Sequence, residues 1–161
     1  MASKTPTIRQ IDWISIIPQL TVMGIIIFVW HSYNPNNAFL NGAITYLVIS
    51  ISLRNFIPKD HRKGMKKVKM NNYEEAINDF EKSYSFFKQN KWIDKYRYLV
   101  LLSSSRISYL EMALSNIAFC QGQIGKGEKA KEYYEKTLDE FPESEIAKAG
   151  LRLLNSMNKD E

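Results

Sequence analysis

The side chains able to do chemistry are few and scattered. His31 stands in the short stretch HSYNPNN and His61 in a lysine-rich one. Neither has a partner at the spacing of a catalytic triad or a metal site. Cys120 is the sole cysteine, so it can form neither an intrachain disulfide nor a cysteine-based zinc site. Lying between Phe119 and Gln121 in a helix-periodic stretch, it reads as a small core residue rather than a nucleophile. Gly122, Gly125 and Gly127 punctuate a connection between helices and do not make a phosphate-binding loop. No catalytic residue, cofactor or metal is expected, and the chain is read as a non-enzyme.

Two polar constellations remain. Asp12, Ser15 and Gln19 recur at helical spacing and share one face of an otherwise apolar run. An ion or proton path would use such residues. Because Asp12 lies at the edge of the run, a seam hydrogen-bonded to a second helix, through Asn41 or Tyr46, is the favoured reading. The second constellation is the basic run RKGMKKVK, with Arg62, Lys63, Lys66, Lys67 and Lys69. Next to an apolar span these cations suit anionic lipid headgroups, each contributing about 1 kcal/mol near the surface. Nucleic acid is disfavoured, since aromatic side chains do not interleave the run.

The elements that would carry these residues divide the chain in two. The mean hydropathy of −0.32 conceals an uneven distribution. Residues 1–70 hold nine Lys/Arg against Asp12 and Asp60, a net +7, while residues 71–161 hold thirteen against fifteen, a net −2. The basic surplus therefore belongs to the apolar half.

Residues 11–30 carry no charge beyond Asp12 and are long enough, as a helix, to span about 30 Å of bilayer core. Trp13 and Trp30 fall near its ends, as interfacial rings do. Pro18 is expected to kink it. A signal peptide is disfavoured by the length of the run and by HSYNPNNAF, which lacks a small-residue cleavage site. Residues 38–57 form a second span, closed by Arg54 and Pro58, and Ala38 with Gly42 makes a small-xxx-small pair suited to close helix contact. Lys4 and Arg9 precede the first span, and Arg54, Lys59 and the basic run close or follow the second, whereas the turn between them has neither Lys nor Arg. The positive-inside rule places both termini in the cytoplasm, with the protein in an inner or plasma membrane.

Beyond residue 58 the apolar residues recur at helix period. Tyr73, Ala76, Ile77, Phe80, Tyr84 and Phe87 make one stripe, with Asn72 and Glu75 as its N-terminal cap. Ile107, Leu110, Leu114, Ile117, Ala118, Gln121 and Ile124 make a second. A third, Ala130 to Phe141, stops at Pro142, and Ser144 caps a last helix. No alternating strand pattern competes. The fold class is all-α: an N-terminal tail and two-helix transmembrane hairpin over 1–57, and a helical domain over 58–161.

Within that domain, LSNIAFCQGQIGKGEKAKEYYEKTLDEFP resembles a tetratricopeptide repeat (TPR), a helix–turn–helix unit of about 34 residues. Leu114, Ile117 and Ala118 stand where the family has Trp, Leu and Gly; Ala130, Tyr134 and Pro142 match its alanine, aromatic and closing proline. Gln121 replaces the usual tyrosine. GMKKVKMNNYEEAINDFEKS is similar to a second repeat, with Gly64, Ala76 and Phe80 at its small, alanine and aromatic positions. Asp60, Lys63 and Lys67 depart from its large apolar positions, and Lys88 from its proline. The resemblance is to membrane-anchored, bacterial-type members of the family and covers about half the chain. The two alanines are separated by about twenty residues more than a regular array allows. The surplus falls around 90–105, where Trp92, Ile93, Tyr96, Leu99 and Val100 suggest a short helix that fills part of the repeat core.

What the resemblance implies is recognition of another protein or peptide in a groove formed by the first helix of each repeat. On this chain that surface would comprise His61, Met65, Val68, Met112, Ser115, Phe119 and Gln123. The basic clamp by which some members hold a carboxylate terminus is unmatched, with His61, Met65 and Ser115 in its place. The expected role is an adaptor or scaffold at the cytoplasmic face of the membrane. The alternative is an accessory subunit of a transporter, enzyme or secretion assembly recognised through its hairpin, and a homo-oligomer is left open.

Overall fold

A computed structural model describes residues 12–157. The expectations resting on Lys4, Arg9 and Ile11 lie outside that range. The described residues are all-helical, with no strand among them. A 3-10 turn, Trp13–Ser15, leads into α1 (Ile16–Tyr33); a second, Pro35–Asn37, leads into α2 (Ala38–Phe56). Then follow α3 (Lys59–Lys69), α4 (Tyr73–Gln89), the short α5 (Lys91–Lys95) and α6 (Arg97–Val100), α7 (Tyr109–Gln123), α8 (Gly127–Glu140) and α9 (Glu145–Met157).

Local chemistry accounts for the boundaries. The Asn72 and Ser108 side chains accept the Glu75 and Glu111 amides at the starts of α4 and α7, and Ser144 accepts the Ala147 amide in α9. Gly125, at φ +76°, supplies the left-handed residue that lets the chain turn after α7. Pro18 falls in the first turn of α1, where its missing N–H costs no intrahelical bond. A 3-10 turn, Trp13–Ser15, directly precedes the turn that holds Pro18.

The described chain forms two compact units. One comprises 59–90 and 107–157; the other comprises 12–58 and 91–106. In the first, successive helices are neighbours: α3 packs on α4, α4 on α7, α7 on α8 and α8 on α9. Its core joins Val68 of α3, Ala76, Ile77 and Phe80 of α4, and Ile117 and Cys120 of α7. A smaller cluster joins Ala118 of α7, Tyr134 of α8 and Ala147 of α9. Small residues set these crossings. A Cβ on Gly64 would come within 2.7 Å of the Phe80 ring, and one on Gly150 within 2.3 Å of Tyr134.

In the second unit α1 and α2 pack against one another. A Cβ on Gly42 would stand 2.6 Å from Ile27, so the small-xxx-small pair does admit close contact. The Trp30 indole N–H donates to the Thr45 hydroxyl at 3.0 Å. The stretch Trp13–Tyr33 is long and apolar enough to cross a membrane. The α2 stretch does not reach that standard by itself; Asn41, Arg54 and Asn55 dilute it.

Residues 91–106 overturn one expectation. They do not join the core of α3, α4 and α7 but group with α1 and α2. Trp92 and Tyr96, the rings expected to be buried, are 56% and 51% exposed.

Because Gly64 abuts a fully buried ring, Gly64→Ala should destabilise the first unit by about 1–3 kcal/mol through overpacking. Gly127→Ala, with open space around its Cβ, should leave stability unchanged or raised. Thermal unfolding of the two full-length variants, followed by circular dichroism in detergent, checks the contrast.

Candidate functional site

The expected groove residues are drawn largely into the packing of the first unit. His61, on α3, is buried, and so are Val68 and Ser115. Met65 and Phe119 are partly buried against the core. Met112 is also partly buried, which leaves Gln123 as the one fully exposed member of the set. The cause is geometric. The Phe119 ring, assigned to the open side of α7 by its spacing, meets Tyr73 of α4 edge-on at 6.1 Å. The helix that follows α3 in chain order therefore covers the side expected to stay open, and Phe119 acts as a core-edge residue.

His61 sits among aromatic rings, edge-on to Phe80 at 5.3 Å and to Tyr109 at 5.4 Å, with its Nδ1 3.5 Å from the Ser83 hydroxyl. Tyr109 in turn stacks on Phe87 at 4.7 Å. Burial removes the water that would solvate an imidazolium, so the His61 pKa is pushed down to about 4. Burial likewise pushes the Cys120 thiol up to about 12, which matches a core residue and leaves essentially no thiolate at neutral pH.

The basic run divides by role. Arg62, Lys63, Lys66 and Lys69 are exposed on α3, and Lys63 reaches Asp60 at 3.6 Å. Lys67 is a correction to the expected lipid contacts. Its ammonium lies 2.8 Å from the largely buried Asp79 and 3.2 Å from Glu75, and the Asp79 bond holds its pKa above the ordinary lysine value. The lysine that departs from an apolar position thus neutralises a carboxylate on α4.

The polar seam of α1 finds a partner that spacing did not name. Asp12 donates its amide to the Ser104 carbonyl at 2.9 Å and accepts the Tyr98 hydroxyl on its carboxylate at 2.7 Å. The Gln19 amide donates to the Leu102 carbonyl at 3.3 Å, and the Arg54 guanidinium at the end of α2 donates to the same oxygen. Ser15 is fully buried and donates to the Asp12 carbonyl at 2.6 Å. The partner of the seam is therefore the segment 97–104, not Asn41 or Tyr46 of α2. Arg97 organises that segment, donating to the carbonyls of Asp94, Ser105 and Arg106. Leu102 adopts φ +47°, a left-handed conformation uncommon for a branched apolar residue. The signal that could have found this site was the need of Asp12 and Gln19 for partners; which residues supply them is a tertiary fact.

No family model matches the chain, and no match is found among curated proteins or solved structures.

The low His61 pKa fixes the sign of a pH effect. The unfolded chain binds the proton near pH 6.5 and the folded one near 4, so the unfolded state gains protons first as the pH falls. Stability should be complete above pH 6.5 and decline by about 3 kcal/mol on passing below pH 4. Melting temperatures measured across this window should fall more steeply for the wild type than for His61→Leu, which has no group to titrate there. Parallel curves would show that His61 does not titrate in this way.

Proposed function

We propose that this chain is a membrane-anchored interaction protein, with α1 and α2 as a transmembrane hairpin and a TPR-like domain at the cytoplasmic face. The observation that carries the membrane part is the surface of the two helices. No residue of α1 is buried, and Ile17, Leu20, Ile25 and Phe28 on α1 and Phe39, Leu40, Leu47 and Val48 on α2 are all exposed. A broad apolar face left uncovered on each helix suits a hydrocarbon solvent. The exposed cations of α3 follow directly and suit anionic headgroups on the same side.

The repeat reading draws support from the successive packing of α3, α4, α7 and α8, in which α4 meets α7 although the insert separates them in sequence. Gly64 fitted against Phe80, and the fully buried Ala76 and Ala130, occupy the positions that such repeats use for helix contact. Stacked helical repeats present surfaces to other proteins, and an adaptor role follows from that.

One observation favours the second reading, an accessory subunit recognised through its hairpin. Burial of His61, Val68 and Ser115 leaves less of the expected groove open.

Protease added outside intact cells should leave residues 59–157 undigested, and detergent should expose them. Digestion with the membrane sealed would reverse the topology. Exchanging 12–56 for an unrelated two-span anchor separates the two roles: an adaptor keeps the proteins it co-purifies with, whereas a subunit recognised through its hairpin loses them.

A further inference from the structure

The residues inserted between α4 and α7 serve neither the repeat core nor the expected groove. They place an unusual side-chain set at one end of the α1–α2 pair. The Tyr96 amide bonds the Trp92 carbonyl and the Val100 amide bonds the Tyr96 carbonyl, both at 2.9 Å, so the chain turns helically from α5 into α6. That winding brings Trp92, Tyr96 and Leu99 to one side, and 56%, 51% and 50% of their surfaces are uncovered. Lys91 and Lys95 are exposed beside them, the Lys95 ammonium lying 5.5 Å from the centre of the Tyr96 ring. Ile93 is buried beneath.

We propose that this face is an interfacial foot that lies in the headgroup layer of the leaflet in which α1 begins and α2 ends. The inference rests on the reading of α1 and α2 as transmembrane and adds a lipid-binding site to it. Three observations select lipid as the occupant. The first is position. The segment is tied to Asp12 and Gln19 at the start of α1 and to Arg54 at the end of α2, and Gln19 lies roughly 10 Å along the chain axis from Trp13. An amphipathic element held there lies within the headgroup–acyl boundary.

The second is backbone satisfaction. Irregular chain that borders the hydrocarbon region is tolerated where its polar groups are met by protein. The carbonyls of Leu102, Ser104, Ser105 and Arg106 all accept hydrogen bonds from Gln19, Arg54, Asp12 and Arg97. The third is chemistry. Trp and Tyr combine an apolar body with a polar tip and concentrate at membrane interfaces, and lysines beside them complement anionic headgroups.

The test uses the three tryptophans of the full-length protein, reconstituted in phosphatidylcholine–phosphatidylglycerol vesicles. Trp13→Phe with Trp30→Phe leaves Trp92 as the sole emitter; Trp13→Phe with Trp92→Phe leaves Trp30 as the control. Lipids brominated near the headgroup should quench Trp92 more than lipids brominated near the chain end, and aqueous iodide should quench it less than free tryptophan. If Trp92 responds to iodide alone while Trp30 is quenched by bromolipid, the foot is wrong and the transmembrane reading survives. If Trp30 is also untouched by bromolipid, both fail. Blue-shifted Trp92 emission that neither quencher reaches would mean that protein covers the ring, and would overturn the proposal.

Discussion

The carbonyl oxygen of Leu102 is the point on which one unit of this protein is built. Gln19 from the start of α1 and Arg54 from the end of α2 both donate to it. A glutamine amide and a guanidinium on largely apolar helices would each carry a large desolvation cost if left without acceptors. A single carbonyl, held out by the left-handed turn at Leu102, meets one donor from each helix. Such a conformation costs an L-residue roughly 1–2 kcal/mol and persists where its surroundings over-determine it. The bonds from the Asp12 amide to Ser104, from the Tyr98 hydroxyl to Asp12 and from Arg97 to three carbonyls supply that over-determination.

This arrangement gives a role to residues 91–106, which separate α4 from α7 in sequence. The other unit closes without them: α4 lies directly on α7, and Phe80, Ile117 and Cys120 share one core. Its last apolar face is covered by α9, whose Gly150 lets the backbone approach the Tyr134 ring. The segment 91–106 therefore belongs with α1 and α2, although α3 and α4 precede it in the chain. In the proposed membrane setting it clothes the polar end of the hairpin and turns two aromatic rings towards the headgroups.

Much of this was legible from residue order because helices announce themselves locally. The stripe from Tyr73 to Phe87, the caps at Asn72 and Ser144, the stop before Pro142 and the close approach at Gly42 depend on neighbours within a turn or across a short connection. The assignments that changed all depend on distant partners. His61 and Ser115 are polar types that the repeat resemblance assigns to an open groove, but aromatic packing encloses the first and α7 itself is covered at the second. Lys67 reads as one more charge in a basic run until Asp79 is brought to 2.8 Å. Trp92 and Tyr96 share a face, as expected, but periodicity specifies the face and not what lies across from it.

The central claim is that the inserted segment is fastened to α1. In a Cys120→Ala background, cysteines introduced as Asp12→Cys and Ser104→Cys probe it directly. The 2.9 Å backbone bond between these residues brings them within the Cα separation that a disulfide spans. Mild oxidation of the full-length protein in membranes should produce an intramolecular cross-link, visible as a reducible mobility shift, while an Asn36→Cys partner for position 12, at the other end of α1, should give none. Failure of the first pair to cross-link, with both thiols still reactive and helicity unchanged, would contradict the account.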